Sequence, residues 1–196
     1  DNQDPPGWPP PPPPPTETST NVVYGTKAKN SSEPIEGNVG FLTDEKADTV
    51  AVYEWSDGWW CNESAKTWVA FKLEKPVQLS KVVVTWRDDA FASKEWYGYD
   101  YQVLVSAMSD PGDPSITNGY WQAVGHVLKG KGGVNTFDLS GSKPLAQHVA
   151  VWMAEDGATS CDEHFALGEV SVWDVPVSAT PNPTPEPSGD VCAGGQ

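Results

Sequence analysis

The sequence predicts an all-β protein, an antiparallel β-sandwich or barrel flanked by proline-rich linkers. Short segments rich in Val, Trp and Tyr, with alternating apolar residues, recur between Asn21 and Val177. Turn-forming groups such as "SDPGDP", "KGKGG" and "LSGSKP" separate these segments. No stretch of about a dozen residues carries the apolar period of 3.6 residues that a surface helix requires.

The linkers are predicted by their proline content. Residues 1–20 contain "PPGWPPPPPPPTETST", and residues 178–196 begin with "SATPNPTPEPSG". Proline runs cannot enter helices or sheet ladders, and they adopt the extended polyproline II conformation of semi-rigid spacers. We therefore expect a first linker at 1–20 and one folded domain at 21–177. A second linker at 178–196 would end in the start of a further segment.

The charge of the chain restricts its partners. There are 27 acidic and 12 basic residues, giving a formal net charge of −15. Nucleic acids and anionic membranes attract clusters of lysine and arginine, so neither is expected as a partner. No stretch of 18 apolar residues is present, so we expect no membrane insertion. The composition is typical of a secreted or cell-surface protein, and we expect a monomer.

The three cysteines favour disulfide chemistry over metal chemistry. None of them belongs to a Cys-x-x-Cys pair, which disfavours zinc binding and thioredoxin-type redox activity. Cys61 and Cys161 lie in similar polar, aromatic segments, and we expect a disulfide between them, formed in an oxidising compartment. Cys192 follows the second linker, and its partner could lie in a further domain.

Each strand is predicted from its own alternation. "TWVAFKL" places Val69, Phe71 and Leu73 on one face, and "LSKVVVTW", "YDYQVLVS", "HVAVWMA" and "GEVSVW" follow in order. Trp86 shares the parity of the valines before it, so we expect it to be buried. Five tryptophans are expected to pack within the domain: Trp68, Trp86, Trp121, Trp152 and Trp173.

Several of these segments together resemble one family. "NVVYGTKAKNSSEP" (21–34), "LTDEKADT" (42–49) and "TWVAFKLEKPVQLSKVVVTW" (67–86) resemble the opening, the metal loop and the central strands of discoidin, or coagulation factor five/eight type C, domains. In the third segment a Trp-led strand, a short turn and a Val-rich strand are expected. "YDYQVLVS" and "FALGEVSVW" follow in the family's order. These domains are close to family 32 carbohydrate-binding modules.

The resemblance implies a fold and a class of function. The fold is an eight-stranded antiparallel jelly-roll β-sandwich with galactose-binding-like topology. Such domains have no catalytic machinery and bind ligands, most often sugars, through loops at one end. The chain departs from the family pattern at Ala51, where a tryptophan is usual, and in the length of the segment "YEWSDGWWCNES" (53–64).

The resemblance also implies a structural calcium ion. Its ligands would be the side chains of Asp44, Thr49 and Glu169, together with the backbone carbonyls of Leu42 and Lys46. Calcium prefers six to eight oxygen ligands, including backbone carbonyls. Glu169 would lie at the start of the last strand, where the N- and C-terminal segments meet. The alternative is that Asp44 caps a turn and Glu169 is a surface acid.

Aromatic residues concentrate in three further segments, at 53–64, 87–98 and 162–165. Aromatic rings stack on the C–H faces of sugars, while charged and amide side chains bind hydroxyl groups. The resemblance implies a polar hydroxyl-binding residue at Arg87 and a stacking aromatic at Phe165 or His164. Alternatively, the tryptophans form a small core under a long loop. The ligand-binding candidates are Trp55, Trp59, Trp60, Arg87, Asp88, Trp96, Tyr97, His164 and Phe165.

Three functions compete at this point. The first is a non-catalytic carbohydrate-binding module that tethers a larger secreted protein to a glycan or polysaccharide. The second is a protein-binding or adhesion domain that uses the same loops. The third is a catalytic glycan-degrading β-sandwich, which requires two carboxylates across a cleft. Asp88, Asp89, Asp156 and Glu163 supply carboxylates, but their spacing suggests no pair.

Overall fold

A computed structural model describes residues 18–31, 34, 36–46, 48–54, 67–86, 97–153 and 164–176. Residues Ser19–Val175 form one compact unit. Within the described ranges, no helix has both the length and the apolar character needed to cross a membrane. The strands are β1 (Ala28–Asn30), β2 (Glu36–Gly37), β3 (Ala51–Glu54), β4 (Trp68–Trp86), β5 (Asp100–Ser106), β6 (Gln122–Leu128), β7 (Val134–Asp138), β8 (Leu145–Met153) and β9 (His164–Asp174).

The described strands form an antiparallel β-sandwich. Eight of them have three or more residues, and β2 has two. Sheet A contains β2, β3, β9, the second half of β4 and β7. Sheet B contains β1, the first half of β4, β8, β5 and β6. The predicted fold class is confirmed.

Strand β4 belongs to both sheets and reverses its direction between them. Its first residue, Trp68, is the Cα partner of Trp152 near the end of β8. Its register then shifts between Lys72 and Val77. The second half pairs with β9 and ends at Trp86. The irregular segment takes the place of the short turn that the sequence predicts.

The main core fills the space between the two sheets. Val69, Phe71 and Leu73 of β4 are buried, as their alternation predicts, and so is Trp86, at 2% exposure. Removing a side chain of this size from water contributes about 1.5–3 kcal/mol to stability. These residues pack against the buried odd-numbered positions of β5 and β8.

A second apolar cluster covers the outer face of sheet B. Successive side chains of a strand point to opposite faces, so the even-numbered positions in the first half of β4 face away from the main core. This outer face is also buried, because Trp121 packs onto it from the segment before β6. The predicted packing roles of three tryptophans are thus confirmed. The cluster contains Trp68, Ala70, Leu104, Trp121, Ala150 and Trp152.

The two ends of the domain meet at β9. Asn21 forms an isolated bridge with Trp173. The Val22 amide donates to the Val172 carbonyl at 2.7 Å, and the Val172 amide donates to Asn21 Oδ1 at 3.1 Å. The prediction that the N- and C-terminal segments meet is confirmed. Trp173 is half-buried here, with Lys81 Nζ 4.6 Å from its ring centroid.

Candidate functional site

Several strand ends lie together at one end of the sandwich, which we call the loop end. Glu54 ends β3 and is the Cα partner of His164, which begins β9. Trp86 ends β4, and its ring lies edge-on to that of Phe165, with the ring centroids 5.9 Å apart. The Trp86 ring also contacts the ring of Tyr101, near the start of β5, with the ring centroids 5.0 Å apart.

The end of β8 belongs to the same group. The Met153 amide donates a hydrogen bond of 2.9 Å to the carbonyl of Thr67, which immediately precedes β4. Met153 is also the Cα partner of Tyr101. Segments 55–66, 87–96 and 154–163 therefore all leave from and return to the loop end. These are the segments in which the sequence predicts most of the ligand-binding residues.

Eight of the predicted residues lie outside the described part of the chain. Their roles, and the predicted disulfide, stay predictions. They are Trp55, Trp59, Trp60, Cys61, Arg87, Asp88, Trp96 and Cys161.

Phe165 belongs to the core. It is 4% exposed, and its ring stacks on that of Tyr53 with centroids 5.1 Å apart. The prediction that Phe165 stacks on a sugar is wrong, because both Tyr53 and Trp86 already occupy its surroundings. Of the other candidates, Tyr97 is half-buried and packs partly against the core. His164 is placed at the loop end by its backbone pairing.

An aromatic floor underlies the loop end. The Trp86 ring contacts the rings of both Tyr101 and Phe165 edge-on. Burial raises the pKa of Tyr101 to about 12, so its hydroxyl stays neutral at physiological pH. Gly98 lies against this floor, where an added Cβ would come within 2.6 Å of the Trp86 ring. The chain can therefore follow the floor closely only because residue 98 has no side chain.

The turn between β6 and β7 lies next to the loop end. The sequence alone does not reveal this position. The Gly130 amide donates to the Tyr99 carbonyl at 2.8 Å, and the Trp86 amide donates to the Gly133 carbonyl at 2.9 Å. These bonds place the exposed Lys129 and Lys131 at the loop end. The sequence predicts only a turn at "KGKGG", because the residues that form hydrogen bonds with its backbone lie more than 30 residues away in the chain.

The predicted metal loop gathers oxygen atoms. Thr49 Oγ1 lies 2.9 Å from Asp44 Oδ1 and 3.0 Å from the carbonyl oxygen of Lys46. Asp44 Oδ1 also accepts the Lys46 amide at 3.0 Å. Three predicted ligands thus converge. The turn-capping role considered for Asp44 is present as well.

Glu169 faces this loop from the middle of β9, not from the start of the strand as predicted. Both of its carboxylate oxygens are buried and have no hydrogen-bond partner among the described residues. Desolvation and the nearby charge of Asp44 raise the pKa of Glu169 to about 8. The nearby backbone amide of Glu45 lowers this pKa, but its geometry falls short of a hydrogen bond to Glu169. Glu169 is therefore not a surface acid.

The family model of the NedA-like, galactose-binding domain matches residues 41–151, more than half of the chain. The chain belongs to this family. The predicted resemblance to factor five/eight type C domains is thereby confirmed. No curated protein sequence matches the chain significantly.

Solved structures share the fold of this NedA-like domain. A chitosan-binding module 2 in complex with chitotriose, from a Paenibacillus chitosanase/glucanase, has 19% identity and a TM-score of 0.55, covering 78% of this chain and 98% of that one. The family 32 module of C. perfringens NanJ in complex with galactose has 16% identity and a TM-score of 0.58, covering 80% and 100%. A Streptococcus pneumoniae fucose-binding module has 14% identity and a TM-score of 0.55, covering 78% and 96%.

The oxygen set of this NedA-like domain fits calcium better than a softer metal. Across the part of the chain that the structure describes, no three His, Cys, Asp or Glu side chains gather as a metal cluster. A metal here would depend on hydroxyl and carbonyl oxygens as well as on two carboxylates, which is the donor set of Ca²⁺. The unpartnered carboxylate of Glu169 is the group that such a cation would satisfy.

Two neighbours of the metal loop were missed in the sequence. Glu45, with a positive φ of 57°, adds negative charge beside Glu169. Its Oε1 accepts a hydrogen bond of 3.1 Å from Asn21 Nδ2, which links the loop to the start of the domain. No local pattern marks either residue, because only the folded topology brings Asn21 to β9.

Proposed function

We propose that this protein is a non-catalytic carbohydrate-binding module whose loop end holds a glycan. The observation that carries the proposal is the meeting of the Glu54, Trp86, Met153 and His164 strand ends in a galactose-binding domain. Three aromatic-rich segments are attached to these ends. The rings of Trp55, Trp59, Trp60, Trp96 and Tyr97 supply stacking surfaces, and Arg87, Asp88 and His164 supply polar contacts.

A Cys61–Cys161 disulfide would hold two of these segments together. Segments 55–66 and 154–163 start and end at adjacent strand ends, since Met153 bonds to Thr67 and Glu54 pairs with His164. A covalent link between such segments reduces the ordering entropy that is lost when a ligand binds. The disulfide also agrees with the proposed secreted or cell-surface location.

Calcium would stabilise the domain through Glu169. Its ligands are the side chains of Asp44, Thr49 and Glu169 and the carbonyls of Leu42 and Lys46. Bound calcium would supply positive charge to the buried carboxylate. The support is that both oxygens of Glu169 are buried without a partner among the described residues, while Thr49 Oγ1 lies within about 3 Å of both Asp44 Oδ1 and the Lys46 carbonyl oxygen.

The glycan itself is proposed only as a class. The three solved neighbours are described with chitotriose, galactose and fucose. The fold therefore does not select one sugar, and the loops must do so. The proline-rich linkers at 1–20 and 178–196 would join the module to other domains of a larger secreted protein, raising the effective concentration of those domains at the glycan.

A glycan array with the full chain, in calcium and in chelator, tests this function. Retention of a defined set of glycans, with no reducing sugar released from them, is the expected result. Release of reducing sugar would show an enzyme instead. Binding to immobilised glycoproteins that persists after their glycans are removed would show a protein-binding adhesion domain.

A further inference from the structure

A cavity lies on the side of the sandwich, on the outer face of sheet B. Its volume is about 430 Å³, which is within the range of small-molecule sites. The segment between β5 and β6 forms one wall, from Ser109 to Pro114. This segment leaves β5 after Ser106, at the opposite end of the strand from Tyr101 and the loop end. This wall therefore lies at the far end of sheet B from the proposed glycan site, whereas Trp68, which also lines the cavity, follows Thr67 of the loop end.

The cavity results from small side chains between large ones. Trp68, Ala70 and Lys72 share the outer face of β4, because alternate residues point the same way. Ala70 lies opposite Ala150 on β8, and these two short side chains leave space beside Trp68. Trp121 closes the other side, edge-on to His148, with ring centroids 6.1 Å apart.

The charge around the cavity is opposite in sign to that of the chain. Three of the chain's 12 basic residues line it, namely Lys27, Lys29 and Lys72, whereas Asp110 is the one acid among the described lining residues. Lys29 is neutralised by Asp113 at 2.8 Å. Lys27 and Lys72 have no ion pair with any described residue. In a chain of net charge −15, two unpaired lysines at one cavity favour an anionic ligand.

His148 adds a hydrogen-bond acceptor beside these lysines. Its Nδ1 lies 3.0 Å from the carbonyl oxygen of Met108. A carbonyl can only accept, so Nδ1 carries the proton and donates. Desolvation lowers the pKa of His148, and the charge of Lys72 lowers it further, whereas the hydrogen bond to Met108 and the charge of Asp110 raise it. The lowering causes prevail, which favours the neutral ring. Nε2 of the neutral ring is then an acceptor, suited to a hydroxyl group.

We propose that this cavity is a second binding site, for a single sugar residue that carries a carboxylate or a sulfate group. Lys27 and Lys72 would bind the anion, His148 would accept from a hydroxyl group, and the sugar ring would lie over Ala70 between Trp68 and Trp121. The site is independent of the glycan site at the loop end. It would let the module discriminate charged from neutral regions of one polysaccharide.

The test uses three sugars that differ only in the group at C6, which is neutral in methyl galactoside and anionic in methyl galacturonoside and methyl galactoside 6-sulfate. Amide spectra of the full chain are recorded during titration with each. The anionic sugars should shift the amides of Ala70, Lys72 and His148, and the neutral sugar should not. If both anionic sugars shift these amides, the site recognises charge alone. If only one does, that sugar identifies the anionic group that the site recognises.

Charge reversal at Lys72 then tests the site itself. Lys72→Glu should weaken binding of the anionic sugar by about tenfold or more, because a charged hydrogen bond is lost and repulsion replaces it. Lys75→Glu is the matched control, since Lys75 is exposed on the same strand outside the cavity. It should change the affinity by less than about twofold. Lys27→Glu repeats the test at a position outside the strands.

Three outcomes would overturn the proposal. The first is no shift at these amides at about 50 mM anionic sugar, well above a millimolar dissociation constant. The second is an equal shift with the neutral sugar. The third is equal affinity in folded Lys72→Glu and Lys75→Glu. Since the amides of the loop end are followed in the same spectra, failure here is distinguishable from failure of the proposed glycan site.

Discussion

Glu169 is the residue on which the proposed cation site rests. A carboxylate whose two oxygens are buried without partners destabilises a fold when it is ionised, because folding removes the charge from water with no compensating bond. The nearby Asp44 and Glu45 increase this cost. Proteins satisfy such groups with protons or with metal ions, and the proposed calcium ion would use the oxygens of the Asp44–Thr49 loop as well.

The raised pKa of Glu169 predicts how stability depends on pH in chelator. Its value is about 8 in the folded state and 4.5 in its ordinary state. Between these values the folded protein holds a proton that the unfolded chain has lost, so stability should fall as the pH rises through this window. Melting temperatures of the wild type in chelator, measured from about pH 5 to about pH 8, should therefore decrease. Glu169→Gln should remove this part of the decrease.

Calcium should reverse the effect in the wild type alone. At about pH 8, added calcium should raise the melting temperature of the wild type but not that of Glu169→Gln. Identical melting curves of the wild type in chelator and in calcium would rule out the proposed metal site.

Phe165 allows a second test at the residue scale. Phe165→Leu should lower the free energy of unfolding by about 1–2 kcal/mol, because it loses buried area and two aromatic contacts. Phe41→Leu is the matched control, since Phe41 is 37% exposed and should change stability by less than about 0.5 kcal/mol. Denaturant unfolding measures both. Unchanged stability in Phe165→Leu, combined with lost glycan binding, would return Phe165 to the ligand site.

At the scale of elements, the strands were largely predictable because each carries a local alternation. Val69, Phe71 and Leu73 were assigned to the core correctly on this basis. Local alternation could not show the reversal of β4, which depends on pairing with β8 and β9. Nor could it show that Trp68 faces outward under Trp121, which arrives from more than 50 residues away. For the same reason, local alternation could not show that the carboxylate of Glu169 is buried.

The aromatic floor predicts the effect of a methyl group at residue 98. Gly98→Ala should lower the free energy of unfolding by about 1–3 kcal/mol, because the added Cβ would lie 2.6 Å from Trp86. It should also disturb glycan binding, since the floor supports the loop end. Gly141→Ala is the control, because nothing lies within 4 Å of its Cβ. Equal unfolding curves for the two variants would show that the floor can adapt.

At the scale of the whole molecule, function depends on which strand ends meet. The sequence placed aromatic residues in three separate segments, and a family resemblance suggested one end of a sandwich. The described strands bring the ends of these segments together, and they also place Lys129 and Lys131 beside them. The sugar could not be predicted, because the proposed site assigns its selection to side chains in segments 55–66, 87–96 and 154–163, which lie outside the described residues.

Mapping a bound glycan onto the backbone amides tests the central claim most directly. The full chain would be titrated with the glycan that binds best on the array, and amide shifts would be followed by NMR. Shifts should cluster at the loop end, at Glu54, Gly98, Met153 and His164. The turn at Ser140–Ser142, next to the opposite ends of β7 and β8, should stay unchanged. Shifts confined to that turn, or saturation of the glycan with no shift at the loop end, would contradict the account.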